Sequence, residues 1–321
     1  MALITVTNLK KRFNLEAGFF ARYGRFVNAV NGVDFYIDKN ESYGLVGESG
    51  CGKTTSARLL VRMYEADEGS INFQSTDVRA LKREELKKYR EKVKYVFQDP
   101  ARSLNPRMTI YEILTAGRRY SSLKLTEKEN RDDAAAILEE VGLNTADLER
   151  RPSEFSGGQR QRISIARALL MKPELLICDE VVSALDVSIQ GQILNLLIDL
   201  RARRGLSFLF IAHDLKVASY FCDRIGVMYL GELMEEAPAE TLWKEGIHPY
   251  TELLFSSVAK AAAMKAAETG GTVKESKPTY VENQEGCVFS SRCPYAKEQC
   301  FNKKPEFRQI KPGHKLRCFV K

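Results

Sequence analysis

No stretch of this chain approaches the ~18 to 20 unbroken apolar residues that cross a bilayer as a helix. Its strongest apolar runs, such as Leu206–Ala212, are about strand length. That excludes a chain that spans the membrane by its own helices. The start, Met1-Ala-Leu-Ile-Thr-Val6, lacks a basic segment followed by a long apolar core, so no secretory signal is expected and a cytosolic protein is. Internal repeats are absent, as is a charge of one dominant sign. Lys and Arg number 49 against 42 Asp and Glu, a net +7 that fits anionic partners without demanding a nucleic-acid groove. What is present is a foldable chain: 321 residues with 44% apolar content suffice for about two domains with a real core, and global disorder is excluded. Seven cysteines in a reducing compartment are not expected to pair as structural disulfides. Four of them fall in the last 35 residues, a crowding that needs its own reason.

Short β-rich runs at Ile4–Val6, Tyr43–Val46, Tyr95–Phe97, Leu175–Cys178 and Phe208–Ala212 alternate with helical patterns. This predicts an α/β fold whose sheet is parallel at its centre. After Asp186, apolar Ile189, Ile193, Leu196, Leu197 and Leu200 mark one face of a helix, read as core packing. Between Gln98 and Leu170 no comparable β-rich run appears, while Ala134–Val141 and Gln159–Met171 read as helices, so an inserted helical lobe is expected over about residues 99–170. From about Ala259 to Glu285 the composition shifts to Ala, Lys, Glu, Gly and Thr, predicting a linker over 259–285 between a domain at 1–258 and a small module at 286–321.

The chemistry begins at Gly47-Glu48-Ser49-Gly50-Cys51-Gly52-Lys53-Thr54, which fits G-x-x-x-x-G-K-[ST] between an apolar strand and a helix that starts near Thr55. Glycines let backbone N–H groups turn inward around a phosphate, and the helix N-terminus adds positive potential at the same point. Lys53 can then reach the β- and γ-phosphates of a nucleotide, and the Thr54 hydroxyl can coordinate Mg²⁺. Farther on, Leu175-Leu-Ile-Cys-Asp179-Glu180 is an apolar strand ending in two carboxylates. Successive strand residues point to opposite sides, so Asp179 can hold Mg²⁺ through water while Glu180 serves as general base toward the attacking water.

Phe155-Ser156-Gly157-Gly158-Gln159 is similar to the L-S-G-G-Q signature of the ABC transporter ATPases, with Phe in place of the leading Leu. The resemblance covers roughly residues 1–255. It implies an ABC-type P-loop NTPase nucleotide-binding domain with an inserted helical subdomain, hydrolysing ATP with Mg²⁺. It also implies a Q-loop glutamine at Gln98 acting with the metal and γ-phosphate, a D-loop at Ser183-Ala-Leu-Asp186, and a switch histidine at His213. By residue chemistry alone His213 reads either as a buried core histidine or as a γ-phosphate contact. Ser156 opens a helix, so its hydroxyl and the N–H groups near Gly158 offer a second anion site. In the family two subunits pack head to tail, so that this region of one caps the nucleotide held by Lys53 in the other. Adenine is expected to stack on Phe13, or on Phe26 beyond an insertion containing Gly18-Phe-Phe-Ala-Arg-Tyr23. One departure stands out: Val181 follows Glu180 where relatives commonly carry Pro, which predicts a looser start to the D-loop.

His248-Pro249-Tyr250-Thr251 resembles the hallmark of the oligopeptide and dipeptide importers. It implies a subunit at the cytoplasmic face of the membrane that powers peptide import. Its partners would be membrane permease subunits and, indirectly, an extracytoplasmic substrate-binding protein. The Gly-Glu-Ser-Gly-Cys-Gly-Lys loop resembles the second subunit of such ATPase pairs, which implies a heterodimer. The alternatives are the same machinery carrying nickel or glutathione, and a soluble ABC ATPase acting on nucleic acid or ribosomes. One phosphate loop and a gap of about 100 residues before the signature disfavour the soluble ATPase, so no nucleic-acid partner is expected. Cys287, Cys293, Cys300 and Cys318, with five, six and seventeen residues between them, form a set of four thiolates suited to Zn²⁺ or a [4Fe–4S] cluster. The short gaps are wider than the close pairs of structural zinc sites, so [4Fe–4S] is expected ahead of Zn²⁺, as a staple for a short C-terminal module.

Overall fold

The computed structural model describes residues 2–14, 26–121, 125–255 and 285–321. The expected linker, apart from Glu285, and the Gly18–Tyr23 insertion lie outside the described residues. The strands are β1 Ala2–Asn14, β2 Phe26–Asp38, β3 Ser42–Val46, β4 Glu68–Phe73, β5 Thr76–Asp77, β6 Val93–Val96, β7 Leu175–Asp179, β8 Ser207–Ala212, β9 Arg224–Tyr229, β10 Glu232–Pro238, β11 Arg308–Lys311 and β12 His314–Leu316. An antiparallel sheet has the order β2-β1-β4-β5, and a larger sheet the order β11-β12-β10-β9-β3-β8-β7-β6. From β9 through β3, β8 and β7 to β6 every pairing is parallel, as the apolar runs predict. Residues of β3, β7, β8 and β9 are buried without alternation, because both faces of a parallel sheet are covered.

The helices that matter for the site are α1 Lys53–Leu60, α2 Arg83–Lys92, α3 Pro100–Ser103, α4 Ile110–Thr115, α5 Glu127–Glu140, α6 Gly157–Leu169, α7 Val187–Arg204, α8 Leu215–Phe221 and α9 Ala239–Glu245. Along α7 the expected apolar face is buried at Ile193, Leu196, Leu197 and Leu200, and Gly205 in the left-handed region (φ 63°) ends it. Between β6 and β7 the described residues contain helices and no strand. There Thr126 caps α5 with Glu129 in a reciprocal box, which starts the helix seven residues before the apolar pattern at Ala134 becomes visible.

The C-terminal residues differ from expectation. They do not stand apart as a module: β12 pairs antiparallel with β10, β11 pairs with β12, and Cys287, Phe289 and Cys300 belong to the same apolar cluster as Ile163 and Phe208. The reason lies in β10, whose Glu232, Glu235 and Glu236 are buried. Buried carboxylates demand cationic or hydrogen-bonding partners. The last residues supply them: Lys304 bonds Glu232 at 2.6 Å, His314 Nε2 meets Glu235 Oε1 at 2.7 Å, and Lys315 stands 3.3 Å from Glu236. Glu235 also accepts from Ile247 N and His248 N, and Glu236 from Tyr43 Oη and Arg224 Nη1, so the basic tail adds to partners that the acidic strand already has.

Candidate nucleotide site

The phosphate loop joins β3 to α1. Gly52 has φ +109°, and a Cβ there would stand 2.0 Å from the Ala29 carbonyl oxygen, so no other residue fits. Lys53 is buried, and its Nζ donates to the carbonyl oxygens of Gly47 at 2.7 Å and Glu48 at 2.9 Å. A cavity of about 270 Å³ opens beside it, lined by Ser49, Gly50, Gly52, Lys53, Thr54 and Thr55, with Gln98 and Glu180 on its far side. Gly47, Glu48 and Cys51, named from the sequence with the same loop, are not part of its lining. The Cys51 thiol is buried, which raises its pKa against the pull of Lys53.

The two carboxylates have different surroundings, although Glu180 lies just beyond β7 and so not on its pleat. Asp179 is buried and accepts from Thr54 Oγ1 at 2.9 Å and from Tyr95 Oη at 2.5 Å. Burial, reinforced by the Asp179 charge, drives the Tyr95 phenol well above its usual range, so Tyr95 stays a donor. Sequence reasoning missed Tyr95; its signal was its place on the strand that leads into Gln98. Glu180 carries φ +49°, an uncommon conformation for a residue with a side chain and one that clusters at functional sites. Its carboxylate accepts from Gln98 Nε2 at 2.9 Å, and His213 Nδ1 lies 3.9 Å from the same oxygen. His213 is exposed, with 56% of its side chain accessible, which removes the core-histidine alternative. The expected slackening after Glu180 is not found: Val181 is buried, and the Glu180 carbonyl accepts from Ser183 N at 3.1 Å and Ser183 Oγ at 2.9 Å.

The signature stands at the start of α6. Ser156 Oγ accepts from Gln159 N at 3.3 Å while Ser156 N donates to Gln159 Oε1 at 2.9 Å, and both residues are exposed. A Cβ on Gly158 would press on Ile189 of α7 at 2.7 Å, which explains that glycine, whereas Gly157 is open to within ordinary contact of Leu185. Asp186 is exposed and caps α7 without a side-chain bond. The aromatics expected under adenine are set apart from the cavity lining: Phe13 packs edge-on against Tyr64 at 5.3 Å, and Phe26 sits beneath the Arg12 guanidinium. Val27, directly across the ladder from Phe13, does line it. A second cavity, of about 640 Å³, adjoins Gln98 and is lined by Arg58, Asp99, Arg102, Asn105, Met108 and Arg167.

Residues 30–183 match the family described as ABC transporter, and residues 234–300 the one described as oligopeptide/dipeptide transporter, C-terminal region. The chain is 44% identical to a putative oligopeptide transport ATP-binding protein of Bacillus subtilis, YkfD, over all of this chain and 96% of that one. The chain belongs to the ABC transporter family. Within it the relatives include the oligopeptide transport ATP-binding protein AppF of the same organism, 43% identical over 99% of this chain and 97% of that protein. A solved dimeric ATP-binding cassette in a post-hydrolysis state with ADP and Pi covers 74% of the chain and 98% of its own length, at 27% identity and a TM-score of 0.65. The ABC transporter assignment makes the loop, the carboxylate pair and the signature parts of an ATPase.

The cysteines correct an expectation. Cys287, Cys300 and Cys318 are buried and Cys293 is half-buried. The Cys287 thiol is pushed up to about 11, by burial first and then by Cys318, Cys300 and Cys293, so the four sulfurs share one neighbourhood. Yet among the described residues no group of three or more His, Cys, Asp or Glu side chains is placed to hold a metal ion. As folded here, Cys287 and Cys300 lie in the apolar cluster with Cys293 packed against it, an arrangement that fits buried side chains rather than a ready-made [4Fe–4S] or Zn²⁺ cage. Spacing along the chain could not show that Cys287 and Cys300 join the main core.

Proposed function

We propose that this ABC ATPase powers the import of dipeptides or oligopeptides through separate permease subunits at the cytoplasmic face of a membrane. The supporting observation is that the likeness to peptide-transport ATPases extends over the whole chain, through the His248-Pro249-Tyr250 segment to the tail. Among the described residues no helix is long and apolar enough to cross a membrane, so the path for cargo must come from partners. Glu180 serves as general base and His213 as the γ-phosphate contact. Asp179 and Thr54 hold Mg²⁺ with Gln98, and Ser156, Gly158 and Asp186 complete the site of a second ATPase subunit, a different chain in our reading. The 640 Å³ cavity beside Gln98 is the seat of the permease's cytoplasmic helix.

The test is co-expression with candidate permeases. Copurification and ATP-dependent uptake of labelled oligopeptide into vesicles, lost in Glu180→Gln, supports this function. Copurification with ribosomes or nucleic acid, and no permease, overturns it. Absorbance of anaerobically purified protein, with iron and zinc assayed together, decides whether the cysteines rearrange around a metal.

A further inference from the structure

Glu48 is the one acidic residue of the phosphate loop, and three of its groups are held at once. Its carbonyl accepts from Lys53 Nζ at 2.9 Å. Its N–H donates to Tyr250 Oη at 2.9 Å, from 202 residues away. Its carboxylate receives both arms of the Arg292 guanidinium, Nη1 at 2.7 Å and Nη2 at 2.9 Å, from 244 residues away. A bidentate guanidinium–carboxylate pair is both strong and directional. Arg292 is itself fixed: Nη1 lies 3.3 Å from Tyr229 Oη, and the guanidinium sits against the Tyr229 and Phe289 rings at 5.6 and 5.9 Å. Beneath it Tyr229, Tyr250 and Phe289 form a buried aromatic cluster with centroids 4.7 to 5.4 Å apart. The Glu48 pair raises the Arg292 pKa beyond its already high value, so the charge is permanent.

A loop built to gather N–H groups and one lysine around a triphosphate has no use for a carboxylate, since each like charge nearby weakens anion binding. We propose that Arg292 is a positioning residue of the ATP site. It neutralises Glu48 and turns its carboxylate away from the incoming phosphates, while Tyr250 pins the same residue's backbone. The tail thereby completes a nucleotide loop that lies at the opposite end of the sequence. The turn that carries Arg292 is bracketed by Cys287 and Cys293, with Ser290 N donating to Cys287 O at 3.0 Å and Arg292 N to Phe289 O at 3.1 Å. This inference rests on the ATPase assignment, which fails separately if the wild-type chain hydrolyses no ATP.

The experiment is steady-state ATPase of the purified full-length chain. Arg292→Ala should raise KM for Mg·ATP roughly fivefold to tenfold with kcat within about twofold, the partly exposed pair being screened in part by solvent. Arg292→Lys should recover part of that loss. In Arg292→Ala/Glu48→Gln, where no stranded carboxylate remains, KM should return to within about threefold of wild type, and in Arg292→Ala alone the penalty should shrink as salt rises. Thermal melting of each variant separates misfolding from the charge effect. An unchanged KM in a folded Arg292→Ala, or a KM that the added Glu48→Gln leaves untouched, overturns the proposal; a fall in kcat alone would reassign Arg292 to tail anchoring.

Discussion

Gln98 Nε2 donates to the Glu180 carboxylate at 2.9 Å, across 82 residues of sequence. The strand end next to Glu180, the proposed base, and the segment that opens the helical lobe are thus joined by one bond. Gln98 also lines both cavities, the one at the phosphate loop and the one among Asp99, Arg102 and Asn105. A shift of the lobe that moves Gln98 must therefore change the surroundings of Glu180, a small displacement with a chemical readout.

Replacing Glu180 tests its proposed role as base. Glu180→Gln keeps the side-chain shape but cannot accept a proton, so hydrolysis should fall by about a hundredfold or more while ATP still binds. Closed dimers should accumulate with ATP, as read by size-exclusion chromatography. Turnover near wild type would remove Glu180 from the base role.

Gln98 should separate binding from output. In Gln98→Ala, equilibrium ATP affinity should stay within about threefold, because Lys53 and the loop N–H groups are untouched, while transport by the assembled importer should be largely lost. An equal loss of both would place Gln98 in nucleotide binding alone.

The catalytic strand-loop-helix units were legible because their physics is local. The Gly52 and Lys53 spacing, the apolar run ending in Asp179 and Glu180, and the 3.6-residue period of α7 each act within a few residues, and each is where the sequence placed it. What escaped is long-range. Tyr95 on Asp179, Tyr250 and Arg292 on Glu48, and His314 on Glu235 are contacts between residues 79 to 244 positions apart, which no spacing rule reports. The tail follows the same rule: four cysteines suggest a metal, whereas the pairing of β12 with β10 and the contacts of Lys304 and His314 with β10 carboxylates join the tail to the main sheet.

His248 supplies a pH signature. Its ring is buried, which lowers its pKa from the usual 6.5 to about 4 although the Arg317 backbone works against this, and its Nδ1 accepts from Tyr250 N at 3.0 Å. With the folded value below the unfolded one, the unfolded chain binds the extra proton first as pH falls. The stability held by neutral His248 is complete above pH 6.5 and is lost toward pH 4, with a slope of up to about 1.4 kcal/mol per pH unit. His248→Asn, which keeps an acceptor, should flatten the wild-type loss between those limits in denaturant titrations. Equal slopes in the two proteins would show that His248 does not titrate on unfolding.

Tyr95 supplies the last prediction. Its hydroxyl donates to Asp179 Oδ2 while Thr54 Oγ1 occupies Oδ1, so the carboxylate is oriented from both sides. Such partners fix the direction of a metal-binding carboxylate, and losing one typically costs about tenfold or more in metal affinity. Tyr95→Phe removes only the hydroxyl and leaves the ring beside Phe97 at 4.8 Å. The Mg²⁺ concentration for half-maximal ATPase should therefore rise about tenfold, with saturating Mg²⁺ restoring most of the rate. A Mg²⁺ titration that superimposes on wild type would mean that Thr54 alone sets the Asp179 orientation. A rate that saturating Mg²⁺ cannot restore would place Tyr95 in the chemistry itself.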